Sequence, residues 1–196
     1  LLVVYAVTGA ADPHGDWYRR GSASASAISD GEVWRAVTAL TLHVDLTHLV
    51  GNVAAIAVFG AGVCRQLGPG LGVWLLLLAG AGGNAANALL HASGHSSVGA
   101  STSVFGAIGV LSGLAAGQGW AWRRVWMALG AGLALLAMLG TGERADLGAH
   151  FFGFLAGGFL GLAAGAIVAR PPGRAVQWML ALATVGVVAA AWAVAL

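Results

Sequence analysis

The sequence predicts an all-α polytopic membrane protein, and three observations predict it. Hydrophobic residues make up 59% of the chain and charged residues 8%, far from the composition of a soluble globular domain. Six apolar segments each come close to the length that crosses a bilayer, about 20 residues. The loops between them alternate in charge. The 32 glycines add that the helices pack closely through small residues, as helices in lipid tend to do.

Taken in order, the first apolar run, Leu1 to Ala10, has about half the length of a span and reads as the end of a truncated first helix. No basic region of a secretory signal is visible in it. A polar stretch over residues 11–45 follows, carrying Asp12, Asp16, Arg19, Arg20, Asp30, Glu32, Trp34 and Arg35. Spans are then expected at roughly 46–63, 71–91, 101–118, 125–140, 147–169 and 176–196. With the stub this makes seven helices in one compact domain, residues 1–196. Asp45, just before the second helix, is placed to cap it. The one cysteine, Cys64, cannot form an intramolecular disulfide.

Every basic residue is an arginine, and arginine placement gives an orientation. One alternate set of loops holds Arg65, Arg123, Arg124, Arg170 and Arg174 with no acid; the other holds all seven acids with four arginines. The positive-inside rule puts the all-arginine side in the cytoplasm, so the 11–45 loop and the Gly94–Ala100 region face outward. A net charge of +2 and the absence of a basic stripe with interleaved aromatics argue against a nucleic-acid partner.

This orientation brings four polar residues to one depth. His48 and Asn52, Ser101, and His150 each lie in the first turns of a span entered from outside. Polar groups are expensive in lipid and mark function or helix contacts; their convergence favours function. His48 and Asn52, four apart, share a helical face. Gly106, Gly109, Gly113 and Gly117 on one helix and Gly153, Gly157 and Gly161 on another would let two backbones approach closely enough for a serine and a histidine to share a hydrogen bond. Ser101 alone would read as a helix cap. His43, Asn84 and Asn87 are candidates to line or feed a wet cavity, helix–helix contact being the alternative for the asparagines. His14, His91 and His95 receive no role.

Together, Trp34-Arg35, His43-x4-His48-x3-Asn52, Gly99-Ala100-Ser101 and Ala149-His150-x2-Gly153-x3-Gly157 resemble the rhomboid intramembrane serine proteases, over Trp34 to Gly161. The resemblance implies a six-helix core, about residues 1–169, with the helix at 176–196 as a C-terminal addition. It implies Ser101 as nucleophile, His150 as general base and then acid, and an oxyanion hole made by His48, Asn52 and the Ser101 amide. Phe105 takes the position of an aromatic ring packed against the catalytic imidazole. Gly99, His43, Trp34, Arg35, Gly153 and Gly157 are supporting positions. Trp34 and Arg35 read as an interfacial pair, the ring at the headgroups and the guanidinium toward lipid phosphate or loop carbonyls. The loop with Glu143 and Asp146 is expected to act as a flexible cap, and the helix at 125–140, with Trp122 and Trp126 near its inner end, as a mobile wall where substrate enters.

Two departures from the family pattern stand out. Thr102 occupies the usual glycine position after the nucleophile, where a branched side chain would crowd the backbone beside the oxyanion. Cys64 stands where members often carry a glutamate.

The function expected is a serine endopeptidase cutting single-span membrane proteins near their outer boundary, with no cofactor, and with membrane-spanning substrates and lipid as its partners. The alternative is a rhomboid-like pseudoprotease that binds transmembrane segments without cutting them; the presence of both Ser101 and His150 favours the enzyme. A metal or haem protein finds no His-Glu-x-x-His and no paired cysteines. No acid lies well inside a span, which removes aspartyl and site-2-type chemistry. The Ala, Gly and Arg bias without lysine points to a GC-rich bacterial genome and an inner membrane, with the site opening to the periplasm.

Overall fold

The computed structural model describes residues 1–90, 94–117, 126, 130 and 146–196. Among them, four short helices precede the spans: α1 (Leu2–Thr8), α2 (Asp16–Gly21), α3 (Ala25–Ser29) and α4 (Arg35–Thr38). Four helices are long and apolar enough to cross a membrane: α5 (Leu46–Leu67), α6 (Pro69–Leu90), α8 (Leu147–Ile167) and α9 (Arg174–Ala195). A shorter apolar helix, α7 (Ser101–Gly117), lies between them in sequence. This is an all-α polytopic membrane fold. The helix expected at 125–140, its tryptophan Trp122 and the loop with Glu143 lie outside the described residues; positions 126 and 130 are helical.

Local chemistry sets the helix ends. The Asp45 carboxylate accepts from the His48 amide at 2.7 Å and caps α5. Gly68, at φ +85°, turns the chain out of α5, and Pro69 opens α6 where its missing N–H costs nothing. Asp146, expected in a cap loop, is instead the N-cap of α8, its Oδ1 accepting from Ala149 N at 3.0 Å. Pro171, Pro172 and Gly173 separate α8 from α9.

Helices α6, α7 and α8 pack on one another, with α7 nearly all buried. The α7–α8 interface is made of glycine. A Cβ on Gly157 would overlap the carbonyl oxygen of Gly106, one on Gly161 that of Val110, and one on Gly109 that of Phe154. The two backbones therefore touch, gaining dispersion contacts that larger residues would block. An apolar core of Val63, Leu67, Leu75, Leu76, Val110 and Leu114 fills the end of the bundle away from the polar residues.

Residues 11–45 fold over the other end, where α6 finishes and α5, α7 and α8 begin. Ala23, Ala25, Ile28, Ala36 and Ala39 pack there against Ala88. Strand β1 (Ala23–Ser24) pairs antiparallel with β2 (Ser96–Ser97), joining this loop to the segment that leads into Ser101. Helix α9 lies against α6 and is fastened at both ends. Gln177 accepts from Leu71 N and donates to Leu67 O, both at 2.9 Å, while Trp192 Nε1 donates to Thr41 Oγ1 at 3.0 Å. Its other faces present Trp178, Met179, Leu182 and Val185 outward.

Candidate active site

Three helix beginnings meet at the loop end around a cavity of about 1120 Å³. Ser101, His150, His48, Asn52, Phe105 and Gly99 all line it. Ser101 Oγ and His150 Nε2 are 2.8 Å apart, across 49 residues of sequence. With the hydroxyl donating, the imidazole proton sits on Nδ1, which is buried and has no hydrogen-bond partner among the described residues. The Phe105 ring stacks on the His150 ring, centroids 4.5 Å apart and planes 26° from parallel.

Ser101 is the first residue of α7, so its amide has no acceptor within the helix and lies at the positive end of the helix dipole. The segment before it is held at two points: Gly99 N donates to Ala39 O at 2.9 Å, and Ala100 N to His43 Nε2 at 3.4 Å. Gly99 takes φ +132°, and a Cβ there would fall 2.6 Å from the His48 ring. Glycine thus permits both the turn and the close approach of His48. Asn52 is 6% exposed, and its Nδ2 donor meets no acceptor among the described residues. His48 and Asn52 lie one turn apart on α5 and face the same cavity as Ser101.

His43 is fully buried, edge-on to His48 with centroids 5.2 Å apart. Burial, reinforced by the neighbouring His48, pushes its imidazole down to about 4, so it is a neutral acceptor for the Ala100 amide. It stands behind the cavity rather than in its lining. Asn84 and Asn87 are also absent from that lining, and of the two roles open to them the structure shows helix contact. Asn84 donates to Ala36 O at 3.0 Å and accepts from Thr102 Oγ1 at 2.9 Å; Asn87 donates to Asp146 Oδ2 at 2.8 Å.

The Thr102 side chain has room on α6 and α8. Its hydroxyl turns to Asn84, and its methyl fills space left by two glycines, 2.7 Å and 2.9 Å from where Cβ atoms of Gly83 and Gly153 would stand. Gly153 thus serves Thr102, and Gly157 serves the contact with Gly106. Trp34 and Arg35 lie in the loop layer. Of its two expected partners, Arg35 takes loop carbonyls, those of Arg19 at 2.8 Å and Ser22 at 3.3 Å, and an ion pair with Glu32 at 2.5 Å.

The sequence reading gave no role to His95. In the structure it meets Asp146 at 2.7 Å. The one available signal was an acid four residues before His150, the spacing of a helix cap one turn below an active side chain.

A bundle of spanning helices, a serine and a histidine in contact at a helix beginning, and unmet donors around them define a class. The chain belongs to the rhomboid family: the Rhomboid domain matches residues 30–167. The family is typically one of serine intramembrane proteases, and some members are inactive.

Among individual proteins, the chain is 29% identical over 151 residues to Rhomboid protease GluP of Bacillus subtilis (strain 168), covering 74% of this chain and 29% of that protein. It is 33% identical over 145 residues to Rhomboid-like protease 3 of Toxoplasma gondii, covering 70% and 54%. It is 29% identical over 145 residues to RHOMBOID-like protein 5 of Arabidopsis thaliana, covering 72% and 47%. The chain thus spans between about a third and a half of the length of these relatives. No solved structure matches it.

Proposed function

We propose that this protein is a serine endopeptidase that cleaves transmembrane segments of single-span membrane proteins by a Ser101–His150 dyad. The observation that carries the reading is the 2.8 Å contact between Ser101 Oγ and His150 Nε2 inside a cavity at a helix beginning. A serine hydroxyl becomes a useful nucleophile when a base stands ready for its proton.

In this mechanism Ser101 Oγ attacks the carbonyl carbon of a locally unwound substrate segment while Nε2 of His150 takes the hydroxyl proton. The carbonyl oxygen becomes an oxyanion received by Ser101 N–H, Asn52 Nδ2 and His48. His150 then gives the proton to the leaving amine, and water repeats the sequence on the acyl-enzyme. The stacked Phe105 ring holds the imidazole plane, a task given to an aspartate in a triad. Arginine placement supports a periplasmic opening for the site in a bacterial inner membrane.

A fluorophosphonate serine probe on the purified protein tests this without a known substrate. Labelling should be lost in folded Ser101→Ala and His150→Ala variants. A folded wild-type protein that the probe does not label would leave a pseudoprotease that holds transmembrane segments without cutting them.

A further inference from the structure

Ser101 and His150 come from different helices, and a misalignment of about 1 Å between reacting groups can cost about 10²-fold in rate. Something must fix the start of α7 relative to the start of α8. The glycine interface sets the spacing of the two helices along their length. It leaves open the strand-like segment that delivers the chain to Ser101.

Asp146 makes bonds to three parts of the molecule. Its Oδ1 caps α8 at Ala149, next to His150. Its Oδ2 accepts from Asn87 Nδ2 at the end of α6, at 2.8 Å, and from His95 Nε2 at 2.7 Å. Burial by itself would raise the Asp146 carboxyl, but the Ala149 amide and His95 outweigh it and hold the group below the usual carboxylate range. His95 is in turn fixed from the other side: its carbonyl accepts from Ala25 N at 2.9 Å, and the next two residues form β2 against β1.

We propose that His95 and Asp146 form a positioning bridge, tying the segment that leads into Ser101 to the N-cap of the helix that carries His150. The proposal rests on the reading of Ser101 and His150 as a dyad. Neither bridge residue touches the reacting atoms; they act through the distance and angle between the two that do. Asn87 adds a tie to the end of α6, so one carboxylate joins the start of α8, the end of α6 and the segment that leads into α7.

The test measures fluorophosphonate inactivation of the full chain, separating the maximal rate kinact from the apparent affinity KI. His95→Ala should lower kinact about tenfold or more, by the misalignment argument, with KI within about twofold. His95→Gln, whose amide can donate to the carboxylate, should recover most of the loss. Asp146→Asn keeps a good cap for α8 but loses the carboxylate. It should lower kinact as well, and adding His95→Ala to it should cost little more.

Wild-type kinact in His95→Ala, a change in KI alone, or losses that multiply in the double variant would overturn the bridge. A wild type that the probe does not label would overturn the dyad itself, so the two failures are distinguishable. Were His95→Ala to misfold, His95→Gln and Asp146→Asn would carry the comparison alone.

Discussion

Asn52 keeps a buried amide donor with no acceptor among the described residues, a state that costs about 1–3 kcal/mol until an acceptor arrives. Asn52→Ala should therefore leave thermal stability unchanged or higher. It should lower the turnover of a cleaved substrate by about 10²–10³, the loss typical of one oxyanion donor. His43 makes a different prediction. Folded, it protonates only near 4; unfolded, at the ordinary 6.5. Between these values the unfolded chain binds a proton that the folded chain refuses, so stability is full above 6.5 and falls as the pH drops toward 4, by about 3 kcal/mol. Melting in detergent across that range should show the fall, and it should be smaller in His43→Gln. Ser101 and His150 were legible in the sequence because polar residues inside apolar spans stand out. The partnership of Asp146 with Asn87 and His95 was not, since contacts across 59 and 51 residues leave no spacing pattern.

Among the elements, the helix starts followed the sequence more closely than the ends. Asp45, Pro69 and Asp146 mark starts by caps or fixed backbone angles, which are local chemistry. Helix α5 runs on to Leu67, past the expected end near 63, with Arg65 in its last turn and Gly68 turning the chain out of it. The glycine series on α7 and α8 was legible as a groove. That Gly153 and Gly83 also accommodate Thr102 was visible only in three dimensions. Gly157→Val should force the helices apart against the Gly106 carbonyl, costing about 3 kcal/mol and lowering the melting temperature by about 10 °C. A thermal melt in detergent measures it.

For the whole molecule, α9 is a brace on α6, on the side of the bundle away from the Ser101–His150 contact. Gln177→Leu would strip partners from Leu67 O and Leu71 N, at about 1–3 kcal/mol. The melting temperature should fall while the labelling rate of Ser101 stays at the wild-type value. Among the described residues, the long helices α5, α6, α8 and α9 and the shorter α7 fall where apolar runs were expected, because lipid demands such runs; the span expected at 125–140 lies outside those residues. The packing of α9 on α6 was not legible in the sequence, because α9 is apolar nearly all round and carries no polar face to say which way it turns.

The bare contact between α7 and α8 also fixes how this sequence can change over generations. At Gly106, Gly109, Gly153, Gly157 and Gly161 a Cβ meets another backbone or a packed side chain. The outward residues of α9 meet no such neighbour. A saturation-mutagenesis library selected for folded protein should thus give two textures. One is a narrow diagonal on two helices that tolerates a single amino acid at each step; the other is a broad surface where almost any apolar residue will do. Innovation in such a scaffold is steered toward its loops and lipid face, because its centre has no smaller residue left to try.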